Sequence, residues 1–236
     1  MSDADQAIVA QDLTKTFTIA RKLEGRFASV RSLFDPVHEH RTVVDRLTMS
    51  VARGELVALL GPNGAGKSTS IKMLTGILTP TSGEVFVNGR VPYRDRMANA
   101  RSIGAVFGQK TQLWWDLPAR QSLAALRDIF DVPKAVYDRQ LADFDAILEL
   151  SEFWDTPVRN LSLGQRVRCE MAGAMLHDPS IVFLDEPTIG MDVVVKEQSR
   201  EFLRYQVQAR GRPLVLPPHD MTEVARLCRS EERRVG

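Results

Sequence analysis

The sequence has 236 residues, 44% hydrophobic and 26% charged, a composition typical of an ordinary globular protein with a substantial core. Its 31 basic and 30 acidic side chains give a net charge of +1, which argues against a general nucleic-acid-coating protein. No apolar run approaches the roughly 18–20 residues that span a bilayer, and the acidic, polar first residues are not those of a signal peptide.

The N-terminal region combines strand patterns with a basic interruption. Residues 8–17 are typical of an opening strand, and residues 18–41 interrupt it with a partly amphipathic stretch. Four apolar residues of this stretch recur at helical spacing: Leu23, Phe27, Val30 and Phe34. They favour a packed surface helix over a helix that faces a membrane or a partner. We interpret His38 and His40 as part of a solvated loop rather than a metal-binding pair.

The segments that follow carry strand and helix patterns in the order of an α/β protein. Residues 47–51 and 85–87 alternate apolar with polar side chains, and Asn88-Gly89 predicts a tight turn. Three continuous apolar runs predict buried parallel strands: 56–60, 181–184 and 214–216. Residues 119–160 change to a period of 3.6, which predicts inserted helices. We therefore expect a mostly parallel sheet flanked by helices.

Residues 61–68, the phosphate loop, match a phosphate-binding pattern: Gly61, Pro62, Asn63, Gly64, Ala65, Gly66, Lys67 and Ser68. The glycines allow backbone N–H groups to point at phosphate oxygens, and the helix starting near Lys67 adds the positive end of its dipole. Lys67 can reach the β- and γ-phosphates, and the Ser68 hydroxyl can bind Mg²⁺. Because an apolar strand precedes the loop and apolar residues follow it, we interpret it as a nucleoside triphosphate site rather than an ordinary turn.

Two carboxylates, Asp185 and Glu186, end the apolar run at 181–184. A buried strand delivers Asp185 at its carboxyl end, beside the phosphate loop, where the carboxylate can bind Mg²⁺ directly or through water. Glu186 points elsewhere and is placed to orient or deprotonate an attacking water. The alternative is an acidic pair that merely closes a strand, which the phosphate loop upstream disfavours.

Further motifs follow these two in a recognisable order. Residues 161–165, the signature segment, read Leu161-Ser162-Leu163-Gly164-Gln165 and precede a helical pattern. Gln109 follows Phe107-Gly108, residues 190–192 read Gly-Met-Asp, and His219 lies beyond the last predicted strand. The order resembles that of ABC ATPases over about residues 7–228, with the signature segment, the glutamine loop and the switch histidine in place. The N-terminal interruption and residues 112–118 look most like bacterial exporters of the ABC-2 type.

The resemblance implies a P-loop NTPase (RecA-like) α/β core with an N-terminal antiparallel β subdomain and an inserted helical subdomain at 119–160. It implies ATP and Mg²⁺ as cofactors and ATP hydrolysis coupled to transport. It also implies a second ATPase subunit, head to tail with the first, and a transmembrane permease subunit, with no nucleic-acid partner. The chain would then act peripherally at the cytoplasmic face of the cell membrane.

The resemblance also assigns roles to single residues. It assigns catalysis to Glu186, His219 and Gln109, and metal binding to Ser68, Gln109 and Asp185. It assigns nucleotide binding to Phe17, to the phosphate loop together with Thr69, and to Ser162, Gly164 and Gln165. Phe17 would stack on adenine, with Phe27 and Phe34 as rivals and a plain core position as an equal interpretation. Trp114 and Trp115 are equally candidate anchors for the permease and core aromatics of the helical segment.

Several features depart from the family pattern. Leu163 replaces a glycine of the signature segment, and Pro217-Pro218 stiffens the strand end that aims His219. We expect residues 229–236 to be a truncated or non-native end. Two alternatives to a transporter ATPase therefore stay open: a nucleotide-binding module with impaired turnover, and a soluble ABC ATPase of translation or DNA repair.

Three other residues receive simple interpretations from the sequence. Cys169 and Cys228 are far apart and form no Cys-x-x-Cys pair, which predicts free thiols in a reducing cytosol. His177 is interpreted as a surface residue.

Overall fold

The computed structural model describes residues 6–20, 38–62, 64–108, 110–185 and 193–217. Within these ranges, strands β1 to β7 are Gln6–Ala20, His38–Ala52, Leu56–Ala58, Ser82–Val87, Ile103–Phe107, Ile181–Asp185 and Leu214–Leu216. Helices α1 to α6 are Lys67–Leu74, Arg96–Ser102, Ala119–Ile129, Lys134–Leu148, Leu163–Met175 and Val193–Arg204. A π-helical turn, Tyr205–Ala209, continues α6, and 3₁₀ turns cover Leu150–Glu152 and Val158–Asn160.

The N-terminal part forms an antiparallel sheet in the order β2-β1-β4. Alternate residues of β1 and β4, such as Ile8, Ala10 and Val85, are fully buried on one face, as the alternating pattern predicts. The predicted turn at Asn88-Gly89 is also present, because both residues have positive φ, 49° and 71°. The sheet is therefore half-buried, with one face turned to a core.

The prediction that residues 18–41 interrupt the first strand is wrong at both ends. Strands β1 and β2 remain paired as far as Ala20 opposite His38, so 18–20 and 38–41 extend a long two-stranded ribbon. His40 consequently lies in a strand and not in a loop, with its Nδ1 3.2 Å from the Thr18 hydroxyl. The four apolar residues of the predicted surface helix lie outside the described residues.

A parallel sheet in the order β3-β7-β6-β5 forms the centre of the molecule. Side chains of β6 alternate between two cores: Ile181 and Phe183 pack toward the antiparallel sheet, and Val182 and Leu184 pack toward the helices. Burial on both faces explains why this strand is apolar at four successive positions. The predicted strands at 181–184 and Leu214–Leu216 are thus confirmed, whereas Leu60 of the first predicted run is exposed and β3 ends at Ala58.

Strand β5 is a feature that the sequence analysis did not predict. It pairs in parallel with β6, from Ile103 opposite Ile181 to Phe107 opposite Asp185. Gly104 lies within it because a Cβ there would approach the Ala174 carbonyl oxygen to 2.6 Å. Glycine is unfavourable in strands in general, so a propensity argument does not identify β5 as a strand. The glycine is explained by the tight packing against α5.

Residues 119–160 contain helices α3 and α4, as their periodicity predicts. The apolar residues at helical spacing are buried or half-buried: Leu123, Leu126, Phe130, Leu141, Phe144, Ile147 and Leu148. Phe144 meets Phe202 of α6 edge to face, with ring centroids 5.1 Å apart. These contacts join the helical segment to the central core. None of the helices in the described ranges is long and apolar enough to cross a membrane.

Cys169 on α5 is a free, fully buried thiol. Burial, with the charge of Glu170 as a smaller contribution, raises the pKa of this thiol to about 12. Because the thiolate is the reactive form, we expect Cys169 to resist alkylation by iodoacetamide at pH 8 in the folded protein and to react after denaturation in urea. Peptide mass spectrometry, with the fully denatured protein as the control, measures both. Labelling of native Cys169 at the denatured rate would contradict the prediction.

Candidate functional site

The phosphate loop lies between β3 and α1, at the carboxyl end of the parallel sheet. Gly64 and Gly66 have φ values of 84° and 86°, a left-handed conformation that disfavours residues with a Cβ. At Gly66, which caps α1, a Cβ would also approach the Val43 carbonyl oxygen to 2.5 Å. The loop geometry therefore requires glycine at Gly66 on two separate grounds. Asn63 lies outside the described residues.

The side chain of Lys67 is held over the phosphate loop. Its Nζ donates hydrogen bonds to the carbonyl oxygens of Gly61 at 2.6 Å and Pro62 at 3.1 Å. No side chain caps the N-terminus of α1, which leaves its first backbone N–H groups available to a ligand. Together, the ammonium group and the helix N-terminus concentrate positive potential where the loop opens.

Ser68, in the first turn of α1, meets Asp185 at the end of β6. The Ser68 hydroxyl donates to Asp185 Oδ1 at 2.7 Å, in a half-buried position. A hydroxyl and a carboxylate are hard oxygen ligands of the kind that Mg²⁺ binds beside phosphates. The structure thus brings together two of the predicted metal ligands. Thr69, the residue after Ser68, is half-buried in the first turn of α1.

The end of β5 is joined to the end of β6 next to this pair. Gly108 N–H donates to the backbone oxygen of Asp185 at 2.9 Å, which continues the parallel register of the two strands. The sequence neighbours of these two residues, Gln109 and Glu186, lie outside the described residues. So do residues 190–192, Pro218, His219, the rivals Phe27 and Phe34, Cys228 and residues 229–236.

The signature segment begins α5. Ser162 is the N-cap: its Oγ accepts from Gln165 N–H at 3.2 Å, and Gln165 Oε1 accepts from Ser162 N–H at 2.9 Å. This reciprocal capping box fixes the start of the helix. Leu163 is 39% exposed in the first helical turn, a conformation open to any residue, so the departure from glycine causes no backbone strain. A Cβ at Gly164 would approach Val195 Cγ2 to 2.9 Å.

Of the three aromatic residues with predicted roles, the two tryptophans are exposed and the phenylalanine is half-buried. Trp114 and Trp115 are 40% and 48% exposed, and the Arg166 guanidinium lies 5.5 Å from the centre of the Trp115 ring. The alternative interpretation of both tryptophans as core aromatics is therefore wrong. Phe17 is half-buried in β1, with Lys15 Nζ 5.2 Å from its ring centre, and belongs to neither core.

Two residues, one on the signature segment's helix and one beside the start of β5, have contacts that the sequence analysis missed. Glu170 of α5 is buried and accepts hydrogen bonds from Thr111 and Gln112. Its position as a lone acidic residue within an apolar helical stretch was the available signal. His177, predicted to be at the surface, instead stacks on Phe130 with centroids 4.0 Å apart, and desolvation lowers its pKa.

Comparison with known proteins agrees with this geometry. The profile of the ABC transporter family matches residues 44–189, a range that includes the phosphate loop, the signature segment and Asp185. The chain belongs to the ABC transporter family. Nod factor export ATP-binding protein I of Neorhizobium galegae is 37% identical over 193 residues, 81% of this chain and 55% of the relative. The chain thus spans little more than half the length of that ABC protein.

Solved structures confirm the predicted fold class. The structure of an ATP-binding subunit of an ABC transporter matches with a TM-score of 0.78 at 24% identity, covering 94% of this chain and 83% of the other. A dimeric ATP-binding cassette in a post-hydrolysis state, bound to ADP and Pi, matches with a TM-score of 0.72 at 24% identity, covering 93% and 90%. The chain therefore has the P-loop α/β fold of ABC ATPase domains.

Proposed function

We propose that this chain binds and hydrolyses Mg-ATP as the ATPase subunit of an ABC transporter and drives a separate membrane permease. The observation that carries the proposal is the hydrogen bond between Ser68 and Asp185, which joins the phosphate loop to the predicted metal carboxylate. Family membership supports the same conclusion. Residues 7–228 would form one ATPase domain, with 119–160 as its inserted helical subdomain.

The phosphate loop would hold the triphosphate. Lys67 exchanges its two bonds to the Gly61 and Pro62 carbonyl oxygens for phosphate oxygens, which are charged and therefore stronger acceptors. The free N–H groups at the start of α1 add further donors. Phe17 would stack on the adenine. Binding would therefore include a change of partners for Lys67.

Ser68, Asp185 and Gln109 would hold the metal ion. An Mg²⁺ ion held by these residues would supply positive charge against the negative charge that develops on the phosphate oxygens. The 2.7 Å hydrogen bond between the serine hydroxyl and the carboxylate oxygen supports a site that the two share. Gly108, the residue before Gln109, donates its N–H to the Asp185 backbone oxygen, which supports Gln109 as the third ligand.

Hydrolysis would use the residues that follow the two strand ends. Glu186, one residue beyond Asp185, would accept a proton from the attacking water as the bond between the β- and γ-phosphates breaks. His219 would contact the γ-phosphate. The products are ADP and inorganic phosphate.

A second ATPase subunit would complete each site. Ser162, Gly164 and Gln165 occupy a capped helix N-terminus, which suits contact with a γ-phosphate of the partner subunit. The dimeric cassette with ADP and Pi among the structural matches supports the pairing of two such domains. The capping box would present the serine and the first N–H groups of α5 in a fixed orientation.

The permease would bind near the exposed tryptophans. Trp114 and Trp115 present apolar surface directly after the Gln109 loop, and large exposed aromatics are common anchors at protein interfaces. The chain would therefore act peripherally, at the cytoplasmic face of the membrane. The name of the Neorhizobium relative supports export as the direction of transport.

A phosphate-release assay tests the proposed ATP hydrolysis. The Asp185→Asn variant tests the proposed role of Asp185 in metal binding. We expect wild-type protein to release phosphate with Mg-ATP but not with ATP and EDTA. In Asp185→Asn, the tighter binding that Mg²⁺ confers on ATP should be lost, because the amide is a much weaker metal ligand, while metal-free binding is retained. Titration calorimetry with and without EDTA separates the two contributions, so each protein is its own control. Binding without phosphate release would favour the non-hydrolysing alternative.

A further inference from the structure

The segment that follows Gln109 is bound to the helix that begins at the signature segment. The Thr111 hydroxyl and Gln112 N–H donate to the two carboxylate oxygens of Glu170, the latter at 3.2 Å. Gln112 Nε2 donates to the backbone oxygen of Glu170 at 3.0 Å. Three hydrogen bonds therefore converge on one residue of α5.

Glu170 is an unusual residue for this position. It is 6% exposed and is the one buried acidic side chain within the described part of the chain. Among the described residues, no basic group lies within ion-pair distance of the Glu170 carboxylate. Burial raises its pKa, against the opposing influence of the bonds from Thr111 and Gln112. A buried carboxylate is costly unless its hydrogen bonds are made, so the contact with residues 111–112 has to persist for the group to stay in place.

The hydrogen bonds of Thr111 and Gln112 to Glu170 connect the end of β6, at Asp185, to the helix that carries the signature segment. On one side, Gly108 is bonded to the backbone of Asp185, and Lys110 N–H donates to the Phe107 carbonyl oxygen at 3.0 Å, which turns the chain toward Thr111. On the other side, α5 runs from Glu170 back to its capped N-terminus at Ser162. Residues 167–175 of this helix are buried in close packing, so a displacement at Glu170 would be transmitted along the helix.

We propose that Glu170 is a positioning residue that fixes residues 111–112, the segment after Gln109, to helix α5. A change at the metal site would then move the signature segment together with residues 111–112 rather than independently of them. The inference rests on the proposed ATPase function. It adds to that function a residue that fixes the position of the signature segment relative to the metal site of the same subunit.

Variants of Glu170 separate this role from simple stability. In Glu170→Ala, the Thr111 hydroxyl and Gln112 N–H lose their acceptor, and kcat for ATP hydrolysis should fall about tenfold, while ATP affinity measured by titration stays unchanged. In Glu170→Gln, the amide oxygen accepts from Gln112 N–H and the amide N–H₂ donates to the Thr111 oxygen. This conservative variant should therefore recover most of the lost rate.

Met171→Ala is the matched control. Met171 is fully buried on the same helix and makes none of these hydrogen bonds, so truncating it destabilises α5 without breaking the connection. We expect a lower melting temperature with kcat close to wild type. If Met171→Ala lowers kcat as much as Glu170→Ala does at equal loss of stability, the positioning role is overturned.

Thr111→Val gives a second measurement that does not depend on Glu170→Ala folding. It keeps the side-chain shape and removes the hydroxyl donor, so it should lower kcat on its own and add little to Glu170→Ala in a double-mutant cycle. Wild-type kcat in both single variants would overturn this inference and leave the proposed function intact. Absence of phosphate release by wild-type protein would instead overturn both.

Discussion

The Lys67→Ala variant is expected to lose about 10–150-fold in ATP affinity, because a charge-assisted hydrogen bond to phosphate is worth about 1.5–3 kcal/mol. Lys67 contacts the Gly61 and Pro62 carbonyl oxygens of its own loop, so its removal leaves the cores and sheets untouched. Loss of binding would therefore report on the nucleotide and not on unfolding. Titration calorimetry with Mg-ATP, together with a thermal melt of each protein, distinguishes the two.

Lys72→Ala provides the control for charge. Lys72 lies in the last turn of the same helix, half-buried and away from the phosphate loop. Its removal takes the same charge from the same element, so any general electrostatic contribution to ATP affinity would appear in both variants. Equal affinity of Lys67→Ala and wild type would contradict the phosphate-loop assignment. An equal loss in both variants would reduce Lys67 to one of several non-specific positive charges.

The parts of the fold that the sequence predicted are those with a local signature. Residues 181–184 are apolar at every position because β6 is buried on both faces, and this run needs no tertiary knowledge to be recognised. The phosphate loop was equally clear, since its glycines meet a local backbone requirement: φ is positive at Gly64 and Gly66. Spacing alone therefore placed the loop between a strand and a helix.

The parts that it missed depend on contacts between distant segments. The ribbon that extends β1 to Ala20 is stabilised by pairing with residues from His38 onward, which no local pattern reveals. Strand β5 contains Gly104, whose presence is explained only by the closeness of the Ala174 carbonyl oxygen. Local propensity gives way at both places to tertiary packing.

In the candidate site too, residues that belong to a local motif were predicted and residues whose contacts come from distant segments were not. Ser68 and Asp185 were predicted from motifs, and the 2.7 Å contact between them follows from the position of the two strand–loop junctions at one edge of the sheet. The apolar neighbours of Glu170 along the helix indicate that it is buried, but its partners Thr111 and Gln112 lie 59 and 58 residues away in the sequence, so the bonds themselves could not be predicted. The same reason applies to His177, whose burial comes from Phe130 and β5.

The Glu186→Gln variant is expected to lose about 10²–10⁴-fold in the rate of ATP hydrolysis while it still binds ATP. Glutamine keeps the size and hydrogen bonding of the side chain but cannot accept the proton of the attacking water. Metal binding should survive, because Asp185 keeps its contacts with Ser68 and with Gly108 N–H. Phosphate release and ATP titration of the same preparation measure the two properties separately.

If ATP lies between two subunits, this variant should also become a stable dimer. Uncleaved ATP binds the closed pair and stabilises it by mass action, whereas wild-type protein releases its products and separates. Size-exclusion chromatography of Glu186→Gln with Mg-ATP, beside wild type, measures the dimer directly. A monomer with bound ATP in every sample would contradict the proposed head-to-tail pairing.

Adding Ser162→Arg to Glu186→Gln tests which surface makes that dimer. Arginine at this N-cap fills the space where the partner's γ-phosphate would approach with a much larger side chain, so the dimer should disappear while ATP binding to the phosphate loop remains. The substitution also removes the cap of α5, at a cost of about 1 kcal/mol. Asp95→Arg matches that loss, because Asp95 caps α2 through Ala98 N–H and lies outside the proposed interface. We expect the Asp95 double variant to remain dimeric; loss of the dimer in both would point to helix stability rather than to the signature segment.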